Sequence, residues 1–141
     1  MKKVQSKQIP ESTQTLQGKI LVNYCIEELS NEDGIYYQYL QESFSSSTSA
    51  ETIKVFIEDN ERRFNMLQGE IYSLNDIDYL VSFTKGDGDG LIQVKNAFEM
   101  GLTNTIIHFD NGTKMPITST DFSEFALWFV QKRNEFFVGV E

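Results

Sequence analysis

TIIHFDNGTKMPITSTDFSEFALWFVQKRNEFF, residues 105–137, carries both structural periods of this chain in one run. Thr105–Phe109 is short, apolar and β-branched, which is strand composition. Asp110-Asn111-Gly112 is a strong hairpin turn, and Thr113–Ile117 is the returning strand. Pro116 has no N–H to give to a ladder, so that return must lie at an edge or at its own end. The period then changes. Phe122, Phe125, Ala126, Phe129, Val130, Arg133 and Phe137 recur at helical spacing, and Trp128 and Phe136 broaden the stripe. Thr118, Thr120 and Asp121 are alternative caps for this helix. Burying one large aromatic is worth ~1.5–3 kcal/mol on area grounds, so the helix is expected to anchor the core. A hairpin feeding such a helix makes the class α+β.

Upstream, Lys85-Gly86-Asp87-Gly88-Asp89-Gly90 is the sharpest loop signal in the chain. It lacks the Gly-Lys-Ser/Thr end of a phosphate loop, and its two carboxylates would repel phosphate. As a calcium loop it fails twice: Leu91 stands where a third oxygen ligand belongs, and Phe98 where the twelfth-position Glu belongs. The expectation is a tight turn, with Asp89 capping a helix whose face is Leu91, Val94, Ala97 and Phe98 and whose end is Gly101. No cofactor and no metal are expected. After Asn75, Ile77, Leu80, Val81 and Phe83 fit a short helix or a strand, and so few residues do not separate the two periods.

Thr48 and Glu51 have capping-box spacing. Ile53, Phe56, Ile57, Phe64, Leu67 and Ile71 then suggest one apolar face, with Glu61, Arg62 and Arg63 in solvent. A long amphipathic helix is expected from about residue 49 to 68, ending near Gly69. Residues 43–49, SFSSSTS, read as a polar linker. Before it, Ile20, Val22, Tyr24 and Ile26 alternate with Leu21, Asn23, Cys25 and Glu27. Asn31-Glu32-Asp33-Gly34 is a turn, and Ile35, Tyr37 and Tyr39 alternate with Tyr36, Gln38 and Leu40. This is a β-hairpin over residues 19–44. An isolated hairpin is marginal in water, so it must pack on the body or on another chain. Residues 1–18 are polar, show no period, and read as an extended basic arm. The expected organisation is thus an arm (1–18), a hairpin (19–44) and a small α+β domain (45–141) built as a helix followed by a helix–β-hairpin–helix module.

Charge and rare residues exclude several functions. The 141 residues hold 12 basic and 21 acidic side chains, a net charge of −9. Residues 1–18 carry Lys2, Lys3 and Lys7 against Glu11, and the remainder is therefore −11. Affinity for nucleic acid comes from neutralising Lys and Arg, so an acidic body argues against coating it. The single Cys25 excludes an internal disulfide and, with the single His108, a Cys- or His-built metal cage within the chain. No stretch approaches the ~20 apolar residues of a membrane span. Cys25 and His108 both fall in expected strands without a nucleophile signature around them and read as scaffold residues. Paired carboxylates such as Asp76/Asp78 and Glu27/Glu28 follow from composition and do not specify glycosidase chemistry.

The order Phe83, Gly86–Asp89, Leu91–Gly101, Thr105–Phe109, Asp110–Gly112, Thr113–Thr118 and Asp121–Phe137 resembles a C-terminal domain of unknown function found in phage tail-fibre and fibre-associated proteins. With its basic MKKVQS opening before a strand, the whole chain also resembles short virion proteins of crAss-like (Bacteroides-type) phages. The resemblance implies a non-enzymatic bacteriophage structural protein, made in the bacterial host cytoplasm and residing in the virion. It brings no catalytic residues. The chain is too short for a fibre shaft, so a small fibre subunit or adaptor, attaching a tail or capsid fibre through protein–protein contacts, is expected. A fibre-assembly chaperone is the alternative, and an acidic inhibitor of a host nucleic-acid enzyme a further one. The partners would be other phage structural proteins, with a homo-oligomer, a trimer along a fibre axis, as the expected assembly, and with neither nucleic acid nor membrane. The partner-binding candidates are Lys2, Lys3, Lys7 and Ile9 in the arm and Tyr24, Tyr36, Tyr37 and Tyr39 in the hairpin, because aromatic anchors bury much area with few rotatable bonds.

Overall fold

The computed structural model describes residues 1–139. Four strands come first: β1 (Lys2–Ser6), β2 (Thr13–Leu16), β3 (Lys19–Asn31) and β4 (Gly34–Ser45). Helix α1 (Ala50–Gln68) follows, then β5 (Glu70–Leu74), β6 (Ile77–Val81), α2 (Lys85–Glu99), β7 (Asn104–His108), β8 (Lys114–Thr118) and α3 (Ser119–Glu135). The class is α+β. The chain divides into two units, residues 1–62 and the chain from Arg63 onward, so the boundary falls inside α1 and not at residue 44.

The first unit is an antiparallel sheet in the order β1-β4-β3-β2 with the first part of α1. The segment expected to be a free arm is instead the two outer strands of this sheet. Lys2–Ser6 pairs with Tyr37–Gln41, and Thr13–Leu16 pairs with Lys19–Val22. Backbone hydrogen bonding drives this, and it needs no side-chain period to operate. Gln17 and Gly18, at φ 50° and 75°, make the two-residue turn that folds β2 onto β3.

The β3–β4 hairpin forms as expected, but the alternation in β3 breaks at Tyr24. Tyr24 lies opposite Leu40 and Glu27 opposite Gln38, so Cys25 and Ile26 together face Tyr39. This is a β-bulge. Cys25 takes the left-handed conformation (φ 52°), and Ile26 is turned out to solvent. Tyr24 packs edge-on against Phe56 of α1 at 5.0 Å between centroids, and Phe44 meets the same ring at 5.1 Å. Ser49, not Thr48, caps α1 by accepting the Thr52 N–H. The apolar residues of α1 do not form the single buried face expected of them. Ile53 is buried and Phe56, Ile57 and Phe64 are half-buried, but Leu67 is exposed, Ile71 lies in β5 and is exposed, and Met66 takes the inward place next to Leu67.

In the second unit, the ambiguous stretch after Asn75 is strand β6, which pairs with β5 in a hairpin whose turn, Asn75-Asp76, has both residues at positive φ. Gly69 itself sits at φ 79°, where a β-carbon would collide with the Val81 carbonyl. The β7–β8 hairpin forms with Pro116 opposite Ile106; β8 pairs only with β7, so the missing N–H disrupts no further ladder. Thr118 caps α3 through the Asp121 N–H. The core consists of Phe122, Phe125 and Phe129 from α3 with Phe83, Phe109, Met115 and their neighbours. Phe83 lies 5.1–5.5 Å from the rings of Trp128, Phe129 and Phe136, which suits offset and tilted aromatic packing.

Candidate functional site

The Gly-Asp-Gly-Asp-Gly run is not a loop. It is the first turn and a half of α2, and the helix starts four residues before the expected cap at Asp89. Three glycines oppose a helix by about 1 kcal/mol each relative to Ala. A capping box outweighs them: the Thr84 hydroxyl accepts the Asp87 N–H at 3.0 Å, and the Asp87 carboxylate accepts the Thr84 N–H at 3.0 Å. Asp87 is buried and fully engaged. It also accepts the Ser82 hydroxyl at 2.5 Å and the Asp110 N–H at 2.8 Å. Thr84 donates in turn to the Asp110 carboxylate, and Asn111 donates to the Leu80 carbonyl at 2.9 Å. This network ties the start of α2 to the β7–β8 turn. Its carboxylate is committed to internal donors, which is a scaffold role. The Thr84-x-x-Asp87 spacing was a legible sign of it. Among the described residues, no group of three or more His, Cys, Asp or Glu side chains could hold a metal ion.

Cys25 is buried at the bulge, with its thiol directed at the Asn60 carbonyl at 3.6 Å. Burial, followed by the nearby Glu61 and Glu27 carboxylates, pushes its pKa up to about 11. That is the reverse of what activates a nucleophilic thiol. His108 is exposed on β7, opposite Lys114.

The proposed contact residues divide sharply. Tyr24 is 1% exposed and Tyr39 is buried, so neither is presented to a partner; both belong to the core of the first unit. Burial, then Glu42 and Cys25, raises the Tyr24 phenol above its ordinary pKa. Tyr36 and Tyr37 are half-buried, and the Tyr37 hydroxyl donates to Glu28 across the hairpin at 3.4 Å. Lys2 and Lys3 are exposed on β1, and Lys7 and Ile9 are exposed beyond it.

Because β1 and β2 lie on opposite edges, residues 7–12 must cross the sheet as a strap. The residue that fastens it is Asn23, which sequence reasoning passed over. Its side chain donates to the Glu11 carbonyl at 2.7 Å, its N–H donates to the Ser12 carbonyl at 2.9 Å, and its side-chain oxygen accepts from Gln41 at 3.0 Å. A lone amide inside the apolar run Leu21-Val22-Asn23-Tyr24-Cys25 was the available signal, since a buried polar side chain needs partners. The strap holds Ile9 67% exposed, two residues from Lys7. No helix among the described residues is long and apolar enough to cross a membrane. No protein-family model, curated protein or solved structure matches this chain.

Proposed function

We propose that the protein is a non-enzymatic bacteriophage virion component, a small fibre subunit or adaptor that joins a tail or capsid fibre by protein–protein contact. The observation that carries this reading is the strap. An exposed isoleucine two residues from a lysine is held on a segment pinned at Glu11 and Ser12 by Asn23. A contact loop that is ordered before binding avoids part of the entropy lost on docking. The β1 edge beside it carries Lys2 and Lys3, suited to an acidic neighbour, and Lys side chains on an edge strand also discourage indiscriminate strand pairing.

Mass spectrometry of purified particles tests the assignment. A virion component is present at a fixed stoichiometric ratio. Its absence from finished particles, with presence in infected cells, would favour the assembly chaperone. The surface is tested separately with Ile9→Asp and Lys7→Glu. These variants should fold like the parent protein and fail to enter particles, and normal incorporation of both would overturn the strap as the contact.

A further inference from the structure

The second unit carries a separate surface feature. Helices α2 and α3 enclose an open groove of about 380 Å³, within the range of functional pockets. Its floor is apolar, formed by Leu91, Phe122 and Phe129. On its walls Ile92 is 58% exposed and Val130 is 54% exposed. Apolar side chains grouped along two helices mark a contact surface more than isolated ones do.

The rim charge identifies the occupant. From residue 63 onward the chain holds six basic and eleven acidic side chains. Yet the groove is lined by Lys85, Lys95 and Arg133 with Asp89 as its one acid. The region is acidic, but this groove is basic. The lysines are not locked in place: Lys85 meets Asp89 at 3.5 Å and Lys95 meets Glu99 at 3.9 Å, both exposed i,i+4 pairs of the weak kind. Arg133 is the fixed point, donating to the Phe83 carbonyl at 3.0 Å. A groove-to-groove contact with a second copy would bring two basic surfaces together, which is unfavourable. We propose that the α2/α3 groove is a docking site for an acidic amphipathic helix of another protein. Its apolar side chains would enter over Leu91 and Phe129, and its carboxylates would pair with the rim. This is the helix-in-groove mode of recognition, and it is independent of the strap in the first unit.

The test uses the full chain and a capped model helix of ~16 residues, with Leu at i, i+3, i+4 and i+7 and Glu on its other faces. A control peptide has Lys in place of each Glu. Fluorescence anisotropy should show the Glu peptide binding about tenfold or more tightly than the Lys peptide, and weakening as salt rises from about 0.05 to about 0.5 M. Val130→Glu and Lys95→Glu should each weaken it about tenfold or more, with Ile9→Asp unchanged. Lys95 is at the exposed rim, so its variant carries the test even if Val130→Glu does not fold. Failure of the Glu peptide to bind, or equal binding of both peptides, overturns the proposal. So does a concentration-dependent dimer that Val130→Glu converts to monomer, because a second copy would then be the occupant.

Discussion

The buried carboxylate of Asp87 accepts the main-chain N–H of Asp110 at 2.8 Å, across 23 residues of chain. One side chain thereby completes the α2 cap and fixes the turn of the β7–β8 hairpin. Asp87→Ala should leave the Thr84 and Asp110 N–H groups and the Ser82 hydroxyl without their acceptor. Hydrogen bonds to charged groups are worth about 1.5–3 kcal/mol, and stranded donors cost a similar amount. The expected loss is about 3 kcal/mol, read by denaturant unfolding through the fluorescence of Trp128, the only Trp in the chain. Asp87→Asn keeps one oxygen acceptor and should lose less. A change below about 1 kcal/mol for Asp87→Ala would show that the network is dispensable.

Gly69→Ala should destabilise the second unit by about 2–4 kcal/mol, combining a left-handed backbone with a steric clash. The position has φ 79°, and the added carbon would meet the Val81 carbonyl. The same Trp128 signal reports it. An unchanged midpoint would mean that the β5 start shifts freely.

Cys25 should resist alkylation in the native state. Its pKa is raised from 9.0 to about 11, and the thiolate is the reactive form. Iodoacetamide labelling at pH 8, followed by mass spectrometry, should be slow until denaturant is added. The sign for stability follows from the raised value. The thiol's contribution is full below pH 9, and it is lost as pH rises through about 11, because the unfolded chain releases the proton first. Fast native labelling at pH 8 would contradict the buried placement.

Were residues 1–18 the free extended arm that their lack of a period suggests, deleting residues 1–17 would leave thermal stability nearly unchanged. The structure reverses that expectation. The deletion removes β1, β2 and the strap, and it exposes the β3 and β4 edges. The truncated protein should melt at a lower temperature and associate in sedimentation, as bare strand edges do. Asn23→Ala is the milder counterpart: loss of its side-chain bonds to Glu11 and Gln41 should cost about 1–3 kcal/mol. A truncated chain with the parent's melting temperature would restore the free-arm reading.

What the sequence determined by itself was local. The α+β class, the β3–β4 and β7–β8 hairpins and the helices around residues 50–68 and 119–135 all rest on periods and turn residues a few positions apart. The physics that sets them acts over the same short range. Asn31–Gly34 and Asp110–Gly112 are turns in any context, and the Phe122/Phe125/Phe129 spacing selects a helix before anything packs on it. The Thr84/Asp87 box was equally local, but the glycines around it pointed to a loop. What only the tertiary structure decided was non-local. Lys2–Ser6 becomes a strand because β4 offers it backbone partners some 35 residues away in sequence, and backbone hydrogen bonds leave little trace in side-chain pattern. The bulge at Cys25 and Ile26 is set by pairing with Tyr39, and it takes Ile26 off the face that alternation would share with Val22 and Tyr24 and turns it to solvent. Burial of Tyr24 and Tyr39 followed from that sheet. The candidate surface therefore passed from the tyrosines to the strap that Asn23 holds in place.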